Sequence, residues 1–186
     1  MFRFSNLNGH CAYLVQTTGI SIDMKTLLIV YHSMTGGALQ MARAACEGAS
    51  TEDAIQVRLL HARDAGPDDV LTANGYIFVT PENLAAISGL MKDFFDRTYY
   101  QVLEQINGNP YATMICAGSD GQNAARQIDR IATGWRLKSI APPLIICTHA
   151  QTKDQILSPK HLSATDEELC KNLGATMAGG LAMGIF

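Results

Sequence analysis

The sequence predicts an α/β domain in which a five-stranded parallel sheet carries helices on both faces. Three observations lead there. Five β-rich apolar segments alternate with helix-like segments, the pattern of strands joined by right-handed crossovers. The first strand segment, Thr26–Tyr31 (TLLIVY), is apolar almost without interruption, as a strand covered on both faces must be. The length of 186 residues, 47% hydrophobic and 17% charged, suits one domain with an ordinary core.

The elements follow in order. Residues 1–23 hold neither a helix nor a strand period, and Asn6, Asn8, Gly9 and His10 interrupt any compact secretory stretch. They read as an N-terminal extension of unknown role, or an over-long gene start, with Met24 beginning the folded unit. The intact mass of native protein tests this: a full-length mass overturns the alternative start. After the first strand and the loop His32–Gly37, the Ala-, Leu- and Met-rich run that follows predicts a helix to about Gly48. Ile55–His61 is the second strand, and a short helix is expected after Pro67. Tyr76–Thr80 is the third strand, halted by Pro81. Apolar residues at three- and four-residue spacing predict a long helix from Ser88 to about Ile106. Tyr111–Ala117 is the fourth strand, Gln122–Leu137 a helix, and Leu144–Cys147 the fifth strand behind Pro142-Pro143. Residues 148–163 are polar and irregular; Thr165 then opens a last helix, with Met177, Leu181 and Met183 as its apolar face.

Composition excludes several function classes. Fourteen basic against seventeen acidic residues, a net charge of −3, leave no basic footprint for nucleic acid or an anionic membrane. No apolar run reaches the roughly 18–20 residues of a transmembrane helix. Cys11, Cys46, Cys116, Cys147 and Cys170 are scattered without a C-x-x-C pair, and read as reduced thiols of a cytoplasmic protein.

Ligands of open α/β sheets bind beyond the carboxyl ends of the strands, which directs attention to three loops. The first, Ser33-Met34-Thr35-Gly36-Gly37-Ala38, presents hydroxyls and flexible backbone at a helix N-terminus, suited either to an anion or to simple capping. It contains no lysine and is not a nucleoside-triphosphate loop. The second, Pro81-Glu82-Asn83-Leu84-Ala85 with Ser88 beyond it, mixes apolar groups with an amide; it suits a flat aromatic ligand, or a connector whose Ser88 caps the long helix. The third, Ala117-Gly118-Ser119-Asp120-Gly121, stands at another helix start, as a ligand loop or a plain turn. No Ser/His/Asp or Cys/His relay and no metal-ligand set accompanies them. His32 reads as a residue positioned by the loop, His149 and His161 as surface residues, and Cys116, Cys147 and Trp135 as core.

The segments LLIVYHSMTGGALQMA (27–42), FVTPENLAAISGLMKDFFDRT (78–98) and CAGSDGQNA (116–124) together resemble the flavodoxin-like superfamily. The branch is that of NAD(P)H-dependent FMN reductases and tryptophan-repressor-binding-protein-like quinone oxidoreductases. The resemblance spans about residues 24–150. It implies a three-layer flavodoxin-like fold with strand order 2-1-3-4-5, and an FMN-binding domain over residues 24–186. It further implies that residues 33–38 hold the FMN phosphate, that 81–85 and Ser88 contact the isoalloxazine ring, and that 117–121 close its other side. NAD(P)H is the implied co-substrate, a quinone, flavin or other small molecule the electron acceptor, and a homodimer or homotetramer the implied assembly. Ala38 stands where the family signature has its last hydroxyl, and Leu84-Ala85-Ala86 where the quinone reductases carry an aromatic-Gly-Asn sequence. No Trp follows the long helix among Tyr99-Tyr100-Gln101-Val102. A flavodoxin-type electron carrier without turnover of its own, or a non-catalytic binding module, are the alternative readings. The modest charge weighs against a strongly acidic carrier.

Overall fold

The computed structural model describes residues 24–186, so the expectations for residues 1–23 lie outside the described residues. Four parallel strands form the body of the sheet: β1 (Lys25–Tyr31), β2 (Ile55–His61), β3 (Gly75–Asn83) and β5 (Pro110–Ala117). Two short strands, β6 (Lys138–Ser139) and β7 (Leu144–Cys147), pair in succession with the outer edge of β5. They are two halves of one edge strand. Pro142 and Pro143 lack the N–H groups that would continue the ladder between them. The order β2-β1-β3-β5 followed by this split edge is the expected 2-1-3-4-5 flavodoxin-like topology.

The continuous apolar character of β1 follows from its place in the middle of three layers. Leu28 and Val30 enter a core with Tyr76, Phe78, Phe94, Phe95 and Trp135. Leu27 and Ile29 enter the opposite core with Met41, Ile77, Met114 and Met177. Successive side chains of a strand point to opposite faces, so both sets must be apolar. Trp135, only 1% exposed, packs as expected between the rings of Phe78, Phe94 and Phe95. Helices α1 (Gly37–Ala49) and α6 (Ala164–Met183) cover one face; α2 (Pro67–Leu71), α3 (Gly89–Val102) and α4 (Gln122–Gly134) cover the other.

Several boundaries differ from the sequence expectation. Pro81 does not halt β3, which runs on to Asn83. The Val79 carbonyl accepts from His32 N–H on the β1 side, so Pro81, two residues later, faces that same side after β1 has ended. Its missing N–H therefore falls where no partner strand stands. Beyond it, β4 (Ala86–Ile87) folds back antiparallel on Glu82 and Asn83, turning part of the expected loop into a hairpin. Its two turn residues, Leu84 (φ 50) and Ala85 (φ 58), both lie in the left-handed region. That is the type I′ arrangement, which favours Asn-Gly and is strained for side chains such as these. Helix α3 stops at Val102 rather than near Ile106, because Leu103 leaves the helical region and Glu104 (φ 67) turns the chain. The polar stretch after β7 contains a short helix, α5 (Lys153–Leu157). On α6, Met177 and Leu181 are buried one turn apart, but Met183, two residues further round the helix, is 70% exposed.

Candidate cofactor-binding site

A cavity of about 560 Å³ opens at the carboxyl ends of β1, β3 and β5. This falls within the roughly 300–1,000 Å³ usual for small-molecule sites. The three loops meet there. Ser33, Met34, Thr35, Gly37 and Ala38 line one end; Pro81, Glu82, Asn83, Leu84 and Ala85 form one wall; Ala117, Gly118 and Ser119 form another.

The first loop leaves a helix terminus open. Ser33 Oγ accepts from Gly36 N–H at 3.1 Å, so this hydroxyl closes the loop rather than capping α1. Gly36 occupies the N-cap position at φ 91, with no side-chain capping bond. Gln40 N–H reaches the Gly36 carbonyl at 3.0 Å. The preceding N–H groups of Gly37, Ala38 and Leu39 have no partner within the helix. Contrast α3 on the same edge, where Ser88 Oγ accepts from Met91 N–H. An uncapped first turn with no acidic residue is electrostatically prepared for an anion. Gly37 also lies close against the sheet: a Cβ there would stand 2.5 Å from Cys116 Sγ.

The two walls are tied to each other. Glu82 Oε2 accepts from Gly121 N–H at 2.8 Å, and Asn123 donates to the Ala85 carbonyl. The other oxygen of Glu82 is buried without a partner among the described residues. Asn83 Nδ2 reaches Met34 Sδ at 3.4 Å, joining the second loop to the first. The rim is apolar: Met34, Leu84, Ile156 and Leu157 are all exposed, Leu84 completely. An anion-receptive end beside an apolar mouth suits a ligand with a phosphate at one end and an apolar ring system at the other.

Four expected residues are placed elsewhere. Ser88 is fully buried, its hydroxyl engaged with Met91 N–H and with Thr80 Oγ1 at 3.1 Å. Gly36 shapes the loop from outside the lining, and Asp120 is exposed beyond it. Gly121 (φ 79) is buried under the third loop, where a Cβ would meet Ile145 Cγ2 at 2.5 Å; its contribution is the turn and the bond to Glu82. Conversely, Cys116, Thr148, Ala150, Ile156, Leu157 and Lys160, which lie outside the expected site residues, also line the cavity. Cys116 is thus both core and wall, its thiol pushed up to about 11 by burial. The pair Thr152…Gln155 is a capping-box signal that marks α5 in an otherwise polar stretch, and it is formed in the structure.

His32 lies beneath the loop, 8% exposed, with Nδ1 unpartnered among the described residues and its ring 5.5 Å from that of His61. Burial first, then the nearby charges of His61 and Arg63, hold its pKa below the ordinary 6.5. The unfolded chain therefore takes up a proton before the folded one does, and stability falls as pH drops below about 6.5. Acid titration of stability for His32→Asn is expected to show a shallower loss through that window than wild type. His149 and His161 are exposed, as expected.

Among known proteins, the chain is similar to a flavodoxin of Aquifex aeolicus, 33% identical over 98 residues that make up 53% of each chain. It is also similar to an NAD(P)H dehydrogenase (quinone) of Acidithiobacillus ferrooxidans, 35% identical over 95 residues, 40% of this chain and 48% of that one. It thus spans about half the length of the curated relatives it matches. A solved flavodoxin from the domain Archaea superposes with a TM-score of 0.68 at 19% identity, covering 84% of this chain and 98% of that one, which shows the fold. The profile of the NADPH-dependent FMN reductases matches residues 24–151, the stretch that builds all three loops. The chain belongs to the NADPH-dependent FMN reductase family, within the flavodoxin-like fold.

Proposed function

We propose that the cavity holds FMN and that the chain is an oxidoreductase drawing on NAD(P)H to reduce a quinone, a flavin or another small acceptor. The observation that carries this is the uncapped start of α1 at one end of a cavity of about 560 Å³, in a chain of this family. The residues present fit the group. Ser33, Thr35, Gly37 and Ala38 offer hydroxyls and N–H groups to a phosphate, and Gly37, having no Cβ, lets the loop lie directly against Cys116 and Lys160. Backbone and side chains of 81–85 and 117–119 would hold the ring between two tied walls. Bound there, FMN supplies acceptance of hydride from NAD(P)H and onward delivery of electrons.

The protein's part is to bind, orient and shield. The Glu82–Gly121 and Asn123–Ala85 bonds keep the walls at constant separation, and Asn83 ties the ring end to the phosphate end through Met34. The apolar rim of Met34, Leu84, Ile156 and Leu157 is exposed in the single chain and is the surface that a homodimer or homotetramer would cover. No titrating side chain is required to relay a proton.

A flavodoxin-type carrier is the competing reading, supported by the likeness to the Aquifex flavodoxin. The two separate under anaerobic conditions. In a reductase, NADPH or NADH bleaches the visible absorbance of the FMN-loaded protein. Loaded protein that stays oxidised with either nucleotide, yet is reduced by dithionite, is a carrier.

A further inference from the structure

We propose that Lys160, which belongs to none of the three loops, supplies the positive charge by which this cavity prefers a phosphorylated flavin to riboflavin. The inference rests on the FMN reading above and assigns its charge recognition to a residue distant in sequence.

Lys160 is fastened to the phosphate end from several sides. Its N–H donates to the Thr35 carbonyl at 2.8 Å. Gln40 Nε2 donates to the carbonyls of Gly36 (3.1 Å) and Lys160 (2.5 Å), while Gln40 Oε1 accepts from Leu162 N–H (3.2 Å). One side chain on the first turn of α1 therefore clamps this backbone against the loop. The Lys160 stem follows the same line: a Cβ at Gly37 would stand 3.3 Å from its Cβ and 3.6 Å from its Cγ. The stem thus lies against Gly37, and the residue lines the cavity itself.

Its charge is solvated but not neutralised. The ammonium donates to the carbonyls of Gln155 (2.5 Å), Ile156 (2.9 Å) and Ser158 (2.7 Å). Carbonyl dipoles stabilise a cation and leave its net charge in place. Among the described residues no carboxylate forms an ion pair with it. The field reaches the cavity wall, since the Lys160 charge opposes the upward push of burial on the Cys116 thiol. The loop itself carries no cation, the first turn of α1 carries no acid, and Ala38 lacks the hydroxyl of the family signature. A phosphate placed there has Lys160 as the one cation among the lining residues, and the ammonium, its three donors held by carbonyls, acts on that phosphate through its field.

Equilibrium binding of FMN and riboflavin, read by fluorescence quenching at low and moderate salt, tests this in wild type, Lys160→Gln and Lys160→Arg. Circular dichroism melts establish that each variant is folded. Lys160→Gln is expected to bind FMN about ten- to hundredfold more weakly while riboflavin changes by no more than about twofold. Lys160→Arg is expected to keep most of the preference for FMN. Raising the salt should weaken FMN binding to wild type more than to Lys160→Gln. Unchanged FMN binding in Lys160→Gln overturns the proposal, and so does an equal loss for both flavins, which makes Lys160 a clamp for α5 alone. Wild type that binds riboflavin as tightly as FMN overturns it while leaving the flavin reading intact. Wild type that binds neither overturns both.

Discussion

Gly174→Ala is expected to lower the melting temperature by roughly 6–12 °C, from a destabilisation of about 3 kcal/mol. Helices α1 and α6 meet backbone to backbone. A Cβ on Gly174 would stand 1.9 Å from the Ala45 carbonyl oxygen, and one on Gly48 would stand 2.0 Å from that of Lys171. Neither obstacle is a flexible side chain, so one helix must move away from the other. Cys170, Met177, Ala178 and Leu181 on α6, together with Met41 and Ala45 on α1, are buried in the core that such a movement opens. Gly179→Ala is the control on the same helix: its Cβ would meet only Met183 Cε, at 4.0 Å. There the gain in helix propensity, about 0.5–1 kcal/mol, is expected to hold or raise stability. Thermal unfolding by circular dichroism reads both, and equal melting points for the two variants would contradict this packing.

The second large effect falls on ligand binding. Gly37→Val is expected to weaken FMN binding about ten- to hundredfold or more, from the strain of an added side chain in a filled space. The new Cβ meets Cys116 Sγ at 2.5 Å and Lys160 Cβ at 3.3 Å, so the loop or the segment clamped on it must shift. Cys116→Ala removes the closest obstacle, and the double variant is expected to recover part of the affinity. Non-additivity of that kind is the signature of two residues sharing one space. A double variant no better than Gly37→Val alone would place the damage elsewhere.

The body of the fold was legible in the sequence because its signals are strong and local. Thr26–Tyr31 and Tyr111–Ala117 are apolar on both faces because helices cover both, and each loop that follows them ends in glycine at a helix start. The lining of the cavity by residues 33–35, 37–38, 81–85 and 117–119 could be anticipated for the same reason, since topology alone brings those loops to one edge. What escaped was set by contacts distant in sequence. The β3–β4 hairpin carries Leu84-Ala85 where a turn of this type normally announces itself with Asn-Gly, so no local signal marks it. Ser88 reads equally well as a ligand group or as a cap until Thr80 and Met91 are seen to occupy its hydroxyl. Lys160 stands in a polar stretch without periodicity, and only Gln40 and Thr35, far away in the chain, bring it to the first loop. Pro81 read as a strand terminator because the side its missing N–H faces is a tertiary fact.

Titration of the purified protein with FMN tests the central claim most directly. Saturable uptake of a single FMN per chain, with quenched fluorescence and a perturbed visible spectrum, and much weaker uptake by Gly37→Val, is the predicted result. A folded wild-type protein that takes up no FMN, or one whose uptake is indifferent to Gly37→Val, would contradict it.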